Sequence, residues 1–170
     1  AIQYYLNTEN DETDTSEGAT ANAGYLSLLT NEAEAMISPT TYYLGNVKYG
    51  GDTPKSAYVS ERTETQIWSG NQASWDGLIG LMYPSDYMYS ADFNSCNKTL
   101  QGYNDYDSDK LCTSNNWIFN YTESSEWTIT PESDDDMTSW AISMYGGYDY
   151  DNDPAVDAQY NIRPTLYLQS

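Results

Sequence analysis

The run "GLIGLMY", residues 77–83, is the longest apolar stretch of the chain and the strongest constraint on its fold. It is too short to cross a bilayer as a helix. Leu78, Ile79, Leu81 and Met82 do not alternate with polar residues, so the run predicts a short strand that is covered on both faces. Such a strand needs other elements packed around it, and we expect the 170 residues to build one core.

The remaining patterns predict an α+β fold with short antiparallel strands, one or two short helices and long loops. Further strands are predicted at "TYYLGNV", "AYVSERTETQIW", "EWTIT", "SWAISMYG" and "YNIRPTLYL". The segment 24–37 predicts a helix with Asn31 as its N-cap, and Ser85 is expected to cap a second short helix. Residues 7–23 are acidic without apolar periodicity and predict an exposed insertion in a single domain over residues 1–170.

The composition restricts the partners of this chain. Its net charge of −20, from 26 acidic and six basic residues, disfavours nucleic acid and anionic membranes as partners. Eighteen Tyr and five Trp against two Phe predict an aromatic surface with polar tips, which suits recognition and is also common in exposed sheets. We find no signal peptide and no membrane-spanning segment, and we expect a processed or truncated product beginning at Ala1.

Two cysteines, Cys96 and Cys112, permit one intrachain bridge. In an acidic chain rich in Tyr, Asn, Ser and Thr, the pair predicts a disulfide formed in an oxidising compartment, with two buried free thiols as the alternative. The chain has no His, so a zinc site of thiolate and imidazole ligands would lack sufficient ligands.

Acidic residues alternate in two runs that could each form a turn with converging oxygens. Hard cations such as Ca²⁺ favour six to eight oxygen ligands, so Ca²⁺ is the candidate cofactor. Neither run has the Gly and Glu of an EF-hand loop, and Lys110 occupies the sixth position of the first run. Solvated acidic turns are therefore the alternative to a metal site. The candidate ligands are Asp105, Asp107, Asp109, Asp149, Asp151 and Asp153.

The same two regions are candidate binding loops. "YNDYDSD" and "YGGYDYDND" combine rigid aromatic rings with short polar side chains, a composition typical of adaptable recognition loops. Plain exposed turns are the alternative interpretation. The candidate ligand-binding residues are Tyr103, Asn104, Tyr106, Asp107, Tyr145, Tyr148, Tyr150 and Asn152.

Catalysis is not predicted. Without His the chain lacks a Ser-His or Cys-His nucleophile pair. A carboxylate pair of the glycosidase kind needs only Asp or Glu, but 26 acidic residues indicate no particular pair. Among other side chains, we expect Arg163 to pair with a carboxylate, and Trp117, Trp127 and Trp140 to pack in the core.

The ordered motifs "WDGLIGLMYPSDYMYS", "C…C", "NNWIF", "WTITP" and "YNIRPTLYL" resemble a domain of secreted and cell-surface proteins of Gram-positive bacteria. Many members of that family carry a prepilin-type N-terminus. The order is also similar to bacterial domains of the C-type-lectin-like fold that includes formylglycine-generating enzymes. The resemblance covers nearly the whole chain apart from residues 7–23. It implies a C-type-lectin-like domain, export from the cell and attachment to a pilin-like stalk.

Two departures limit what this resemblance implies. The spacing of Cys96 and Cys112 differs from the closely spaced catalytic pair of formylglycine-generating enzymes, so that activity is not carried over. The pilin-type hydrophobic helix does not occur within these residues, so polymerisation through it is not implied.

We therefore predict a non-enzymatic, extracellular or pilus-associated binding module that is adhesin-like, with an extracellular protein or a glycan as its ligand. The first alternative is a structural subunit of a pilus-like filament, in which copies of the chain are the partners. A more remote alternative is a carbohydrate-active enzyme that uses carboxylates.

Overall fold

The apolar run at residues 77–83 contains strand β3 (Ile79–Leu81), whose three residues are all buried, as predicted. The structure is a computed structural model that describes residues 25–45, 47, 51–64, 72–92, 99, 110–119, 124–131, 139–150 and 160–169. Lys110, Leu111, Asp149 and Tyr150 are described by their backbone alone.

Short helices and strands alternate irregularly along the described residues. A 3-10 helix spans Tyr25–Leu28. The α-helices are α1 (Asn31–Glu34), α2 (Pro54–Glu61), α3 (Pro84–Tyr89) and α4 (Lys110–Ser114). The other strands are β1 (Thr40–Tyr43), β2 (Ser74–Gly77), β4 (Glu126–Pro131), β5 (Ser139–Ile142), β6 (Tyr148–Tyr150), β7 (Asn161–Ile162) and β8 (Pro164–Leu166).

The strands form small sheets. β1 pairs with β2, β3 pairs with β8, and a four-stranded sheet has the order β6-β5-β4-β7. In that sheet β5 runs antiparallel to β4 and β6, whereas β7 runs parallel to β4. The chain is thus α+β, with small, mostly antiparallel sheets and few helices among the described residues.

The chain divides into two compact units. Unit 1 comprises Ala1–Tyr42, Asp76–Gly80 and Pro164–Ser170, and unit 2 comprises Tyr43–Trp75 and Leu81–Arg163. The lectin-like single domain over residues 1–170 stays a prediction, as does the exposed insertion at residues 7–23, which lies outside the described residues.

Tyr42 organises the described part of unit 1. Its ring is buried, and its hydroxyl lies 3.3 Å from the carbonyl oxygens of both Leu78 and Thr165. Burial raises the pKa of Tyr42 to about 12. A Cβ at Gly80 would lie 2.5 Å from the Tyr42 ring, so only glycine allows the strand to pass the ring at this distance. Beyond β8, the Ser38 amide donates to the Tyr167 carbonyl at 2.7 Å, and Ile37 and Leu168 form an isolated antiparallel bridge.

Unit 2 has an aromatic core with satisfied polar tips. Tyr148 packs edge-on against Tyr87 and Trp140, with ring centroids 5.6 and 6.3 Å apart. The Tyr87 hydroxyl donates to the Gly146 carbonyl at 2.8 Å, and the Tyr148 hydroxyl donates to the carbonyl of Pro84. Because each polar tip finds a carbonyl, these rings are buried without the cost of an unpaired hydroxyl.

Some predicted elements are confirmed and others are wrong. The predicted strands at "TYYLGNV" and "EWTIT" overlap β1 and β4, and the predicted strand at "SWAISMYG" contains β5. The predicted strand "AYVSERTETQIW" is wrong, since its first five residues belong to helix α2. A capping box between Thr53 and Ser56, followed by Pro54 at the first turn, starts that helix. The alternation of polar residues in this segment therefore does not mark a strand.

The predicted helix at residues 24–37 is shorter than expected. It consists of the 3-10 helix and α1, and the N-cap is Thr30 rather than Asn31, because the Thr30 hydroxyl accepts from the Ala33 amide at 3.2 Å. Ser85 is not a cap either: Tyr83 precedes α3 and makes no side-chain capping bond. Both errors concern the residue that precedes the first turn of a helix, and helix ends are the part of a helix that local sequence predicts least well.

Among the tryptophans, Trp127 and Trp140 are buried as predicted, whereas Trp117 is 81 % exposed and the core prediction for it is wrong. Arg163 pairs with Glu126 at 2.8 Å, which confirms its expected carboxylate partner. The last predicted strand is split at Arg163 into β7 and β8, with Pro164 at the first position of β8, where its missing N–H is tolerated.

Strand β4 supplies a matched test of buried hydroxyl groups. Thr128 and Thr130 are both buried, and the Thr128 hydroxyl donates to the Trp140 carbonyl at 2.6 Å. The Thr130 hydroxyl is buried with no hydrogen-bond partner among the described residues. We expect Thr130→Val to raise the free energy of unfolding by about 1 kcal/mol, because it removes an unsatisfied polar group.

Urea denaturation of both variants measures this effect. Thr128→Val makes the same change at a satisfied hydroxyl and should lower the free energy of unfolding by about 1 kcal/mol. Equal destabilisation by the two substitutions would contradict the assignment of the Thr130 hydroxyl as unpaired.

Candidate functional site

Trp117 is the most exposed large aromatic side chain among the described residues of unit 2. It lies three residues after the end of helix α4, in the connection to strand β4, and the residue is 81 % exposed to solvent. Tryptophan is highly buried on average, and exposed aromatic side chains with a polar tip are typical of binding surfaces. The backbone on either side of Trp117 shows how this exposure is maintained.

The neighbouring Asn116 holds this connection in place. Its side chain is buried; the Nδ2 group donates to the Tyr87 carbonyl at 2.8 Å, and Oδ1 accepts from the Ile118 and Phe119 amides at 3.0 and 3.1 Å. Oδ1 also accepts from the Ser90 hydroxyl. The Trp117 amide donates to the Ser90 carbonyl at 3.1 Å. The indole is therefore attached to a backbone with little freedom, which lowers the entropic cost of binding.

Tyr145 lies in a tight turn that approaches the same connection. Its amide is bonded to the Ser143 hydroxyl at 3.0 Å, and its side chain is 49 % exposed. The next residue, Gly146, has φ of 86°, which glycine tolerates and other residues adopt with strain. A Cβ at Gly146 would collide with Thr113 and would lie 2.9 Å from the Phe119 ring. The Tyr145 turn and the Trp117 connection are consequently close neighbours.

Helices α2 and α3 contribute two further exposed rings. Tyr58 and Tyr89 meet edge-to-face with centroids 6.3 Å apart, and both are close to half exposed. Tyr89 immediately precedes Ser90, whose carbonyl binds the Trp117 amide. Tyr58, Tyr89, Trp117 and Tyr145 are the exposed aromatic side chains among the described residues of unit 2, and we call them together the aromatic surface.

A buried ionic cluster fixes the helical end of the aromatic surface. The Arg62 guanidinium lies 4.1 Å from the ring centroids of both Tyr58 and Tyr83, and its Nη2 contacts Asp86 at 2.6 Å. Its Nη1 contacts Glu61 at 3.3 Å and the Ser85 hydroxyl at 3.0 Å. Tyr58 is thereby held by stacking on a cation that is itself held by two carboxylates.

Glu61 is fully buried in this cluster and accepts from the Ser85 amide at 3.0 Å and from the Ser85 hydroxyl. Burial raises the pKa of Glu61 to about 7, although hydrogen bonds from Ser85 and the charge of Arg62 act in the opposite direction. The cluster links α2 to α3.

The predicted site residues are only partly described. Tyr145 is exposed, as a binding residue requires. Tyr148 is fully buried in the core of unit 2, so its expected place in a binding loop is wrong: its ring packs on Tyr87 and Trp140. Tyr150 and Asp149 lie in β6. The following predicted residues lie outside the described residues: Cys96, Tyr103, Asn104, Asp105, Tyr106, Asp107, Asp109, Asp151, Asn152 and Asp153.

Cys112 lies in α4, is buried in the core of unit 2 and takes part in a disulfide. Its expected partner, Cys96, lies outside the described residues, so the Cys96–Cys112 pairing stays a prediction. Calcium binding also stays a prediction. In the part of the chain that the structure describes, no three or more His, Cys, Asp or Glu residues are grouped to hold a metal ion.

Sequence reasoning missed Trp117 because tryptophans are usually placed in a core. The signal lies in its neighbours: Asn115 and Asn116 precede it, and consecutive asparagines favour a turn over a buried strand. No described helix combines the length and the hydropathy needed to cross a membrane. No protein-family model, curated protein or solved structure matches the chain.

The raised pKa of Glu61 makes stability depend on pH. Between about pH 4.5, its ordinary value, and about pH 7, the folded state keeps a proton that the unfolded state has lost. This contribution to the free energy of unfolding is present below pH 4.5 and is lost as the pH rises through 7. Relative to Glu61→Gln, the native protein should lose on the order of 3 kcal/mol between pH 4.5 and pH 8.

Urea denaturation of the native protein and Glu61→Gln at a series of pH values measures this difference. Subtraction of the two curves removes the pH dependence that the other acidic residues share. Parallel curves across the whole range would refute the assigned protonation of Glu61.

Asn116→Ala should lower the free energy of unfolding by about 3 kcal/mol. It leaves the amides of Ile118 and Phe119 without the acceptor that the Asn116 side chain supplies, and it removes one of the donors to the Tyr87 carbonyl. Trp117→Ala at the adjacent exposed position is the control and should change stability by about 0.5 kcal/mol or less. Chemical denaturation compares the two variants, and a similar loss for both would mean that the indole, not Asn116, holds this connection.

Proposed function

We propose that this protein is a non-enzymatic, extracellular binding module that contacts its ligand through the aromatic surface. The observation that carries the proposal is the exposure of Trp117 on a backbone that the buried Asn116 side chain holds in place. Anchors of this kind concentrate binding energy, because burial of one indole removes a large apolar area from water while little conformational entropy is lost.

Further features support an extracellular setting and an adhesin-like or pilus-associated role. The disulfide at Cys112 is typical of oxidising compartments, and the motif order resembles surface proteins of Gram-positive bacteria with a C-type-lectin-like fold. The exposed Tyr145 comes from one of the two loops that the sequence predicts to bind. We propose that this loop and the Trp117 connection contact the same extracellular protein or glycan.

A labelled preparation tested on a glycan array and on immobilised extracellular proteins examines this function. We expect a ligand whose binding is at least about tenfold weaker for Trp117→Ala, as for a central aromatic anchor. Leu168→Ala, which removes an exposed apolar side chain of unit 1, is the matched control and should bind normally. If every captured ligand binds Trp117→Ala as tightly as the native protein, the aromatic surface is not the binding site.

The alternative, a structural subunit of a pilus-like filament, draws support from unit 1. Its described residues expose several apolar side chains that an intersubunit contact would bury: Leu28, Met36, Leu166, Tyr167 and Leu168. Electron microscopy of native material distinguishes this role, since regular filaments would favour it. A monomer at high concentration, with Trp117-dependent ligand binding, would favour the binding module.

A further inference from the structure

The charge of the chain restricts which ligand can cover the exposed indole of Trp117. At a net charge of −20 the surface potential repels anionic polymers and anionic sugars, and also a second copy of the same chain. It attracts cations and raises their local concentration around the molecule. A neutral ligand gains nothing from this field, whereas a cationic ligand gains both affinity and rate of association.

The two arginines of unit 2 add little positive charge to the aromatic surface, because both are paired with carboxylates. Arg62 is paired with Glu61 and Asp86. Arg163 approaches the Trp117 connection, where its Nη1 donates to the Ile118 carbonyl at 2.7 Å, but its Nη2 is paired with Glu126. Both guanidinium charges are thus balanced by carboxylates within unit 2.

An acidic residue also lies at the edge of the Trp117 connection. Asp92 is exposed, and its amide donates to the Asn115 carbonyl at 3.2 Å, two residues before the indole. An acidic residue in contact with this connection adds to the negative charge of its surroundings, which favours a cationic ligand.

The protein already contains an example of this recognition. Arg62 is held between the rings of Tyr58 and Tyr83, 4.1 Å from each centroid, with carboxylates around its nitrogen atoms. Tryptophan is a better partner for a cation than tyrosine is. The exposed indole of Trp117 can therefore bind a cationic group of a ligand over its face, as the ring of Tyr58 binds the Arg62 guanidinium.

We propose that the aromatic surface binds a lysine- or arginine-rich segment of a partner protein, with one of its cationic side chains over the face of Trp117. This inference rests on the proposed function and names the ligand class of the same surface. The ligand is a polypeptide segment, because an extended chain can carry several cationic side chains past the other exposed rings of unit 2, which are those of Tyr58, Tyr89 and Tyr145.

The test is a titration of the ¹⁵N-labelled protein with a short peptide of alternating lysine and glycine. The indole N–H signal of Trp117 is identified by its loss in Trp117→Ala, which separates it from the signals of the other four tryptophans. The matched probes are the same peptide with every lysine acetylated, which removes the charge, and an uncharged oligosaccharide. We expect the lysine peptide to shift the Trp117 signal and the acetylated peptide to leave it unchanged.

Affinity measurements separate a cation–π contact from general attraction to a chain with a net charge of −20. Trp117→Ala should weaken binding of the lysine peptide by about 3- to 30-fold, and Leu168→Ala should leave it unchanged. Added salt should weaken binding to all three proteins, because the long-range attraction is screened.

Two results would overturn the inference. Equal affinity of the native protein and Trp117→Ala for the lysine peptide would mean that only the general charge attracts it. A shift of the Trp117 signal by the oligosaccharide or the acetylated peptide, with none from the lysine peptide, would assign the surface to another ligand class. The second result would leave the proposed function intact, whereas the array experiment alone decides whether Trp117 binds any ligand.

Discussion

Tyr87 of helix α3 is the residue on which the described surface of unit 2 depends. Its carbonyl accepts from Asn116, its hydroxyl donates to the Gly146 carbonyl, and its ring packs edge-on against Tyr148. The backbone carbonyl of Tyr87 therefore contacts the connection that carries Trp117, and its side chain contacts the turn that carries Tyr145. Because each of its polar groups is satisfied, Tyr87 joins these loops to the core at little cost in desolvation.

Two adjacent residues of the Trp117 connection have different structural roles. Asn116 faces inward and satisfies the backbone of its own connection, whereas Trp117 faces solvent. At the other end, Arg62 occupies the space between two tyrosine rings and is compensated by buried and half-exposed carboxylates. In both places buried polar groups have hydrogen-bonding partners, whereas the rings of Trp117 and Tyr58 are exposed. Exposed rings next to buried polar groups reverse the usual arrangement and are typical of an interaction surface.

The sequence predicts the sheet of unit 2 better than its helices. Strands β4 and β5 lie where hydrophobic and β-branched residues cluster, and most of their residues are buried. A cluster of such residues predicts a strand without any knowledge of how the sheet packs. The alternation of polar residues from Ala57 onward predicts a strand, but the capping box at Thr53 outweighs that pattern and the first five of these residues belong to helix α2. The carboxylate partner of Arg163 could be expected from charge alone, since a half-buried guanidinium in this acidic chain requires one.

Composition and local pattern alone determined the strong negative charge, the buried strand at residues 77–83 and the need of Arg163 for a carboxylate, because each follows from the residues themselves and their immediate neighbours. Only the tertiary structure decided that Trp140 and Tyr148 are buried and that Trp117 and Tyr145 are exposed. These side chains have similar chemistry and stand in similar sequence surroundings. Their exposure depends on residues distant in the chain, such as Tyr87 for Asn116 and Pro84 for Tyr148, and no local pattern contains that information.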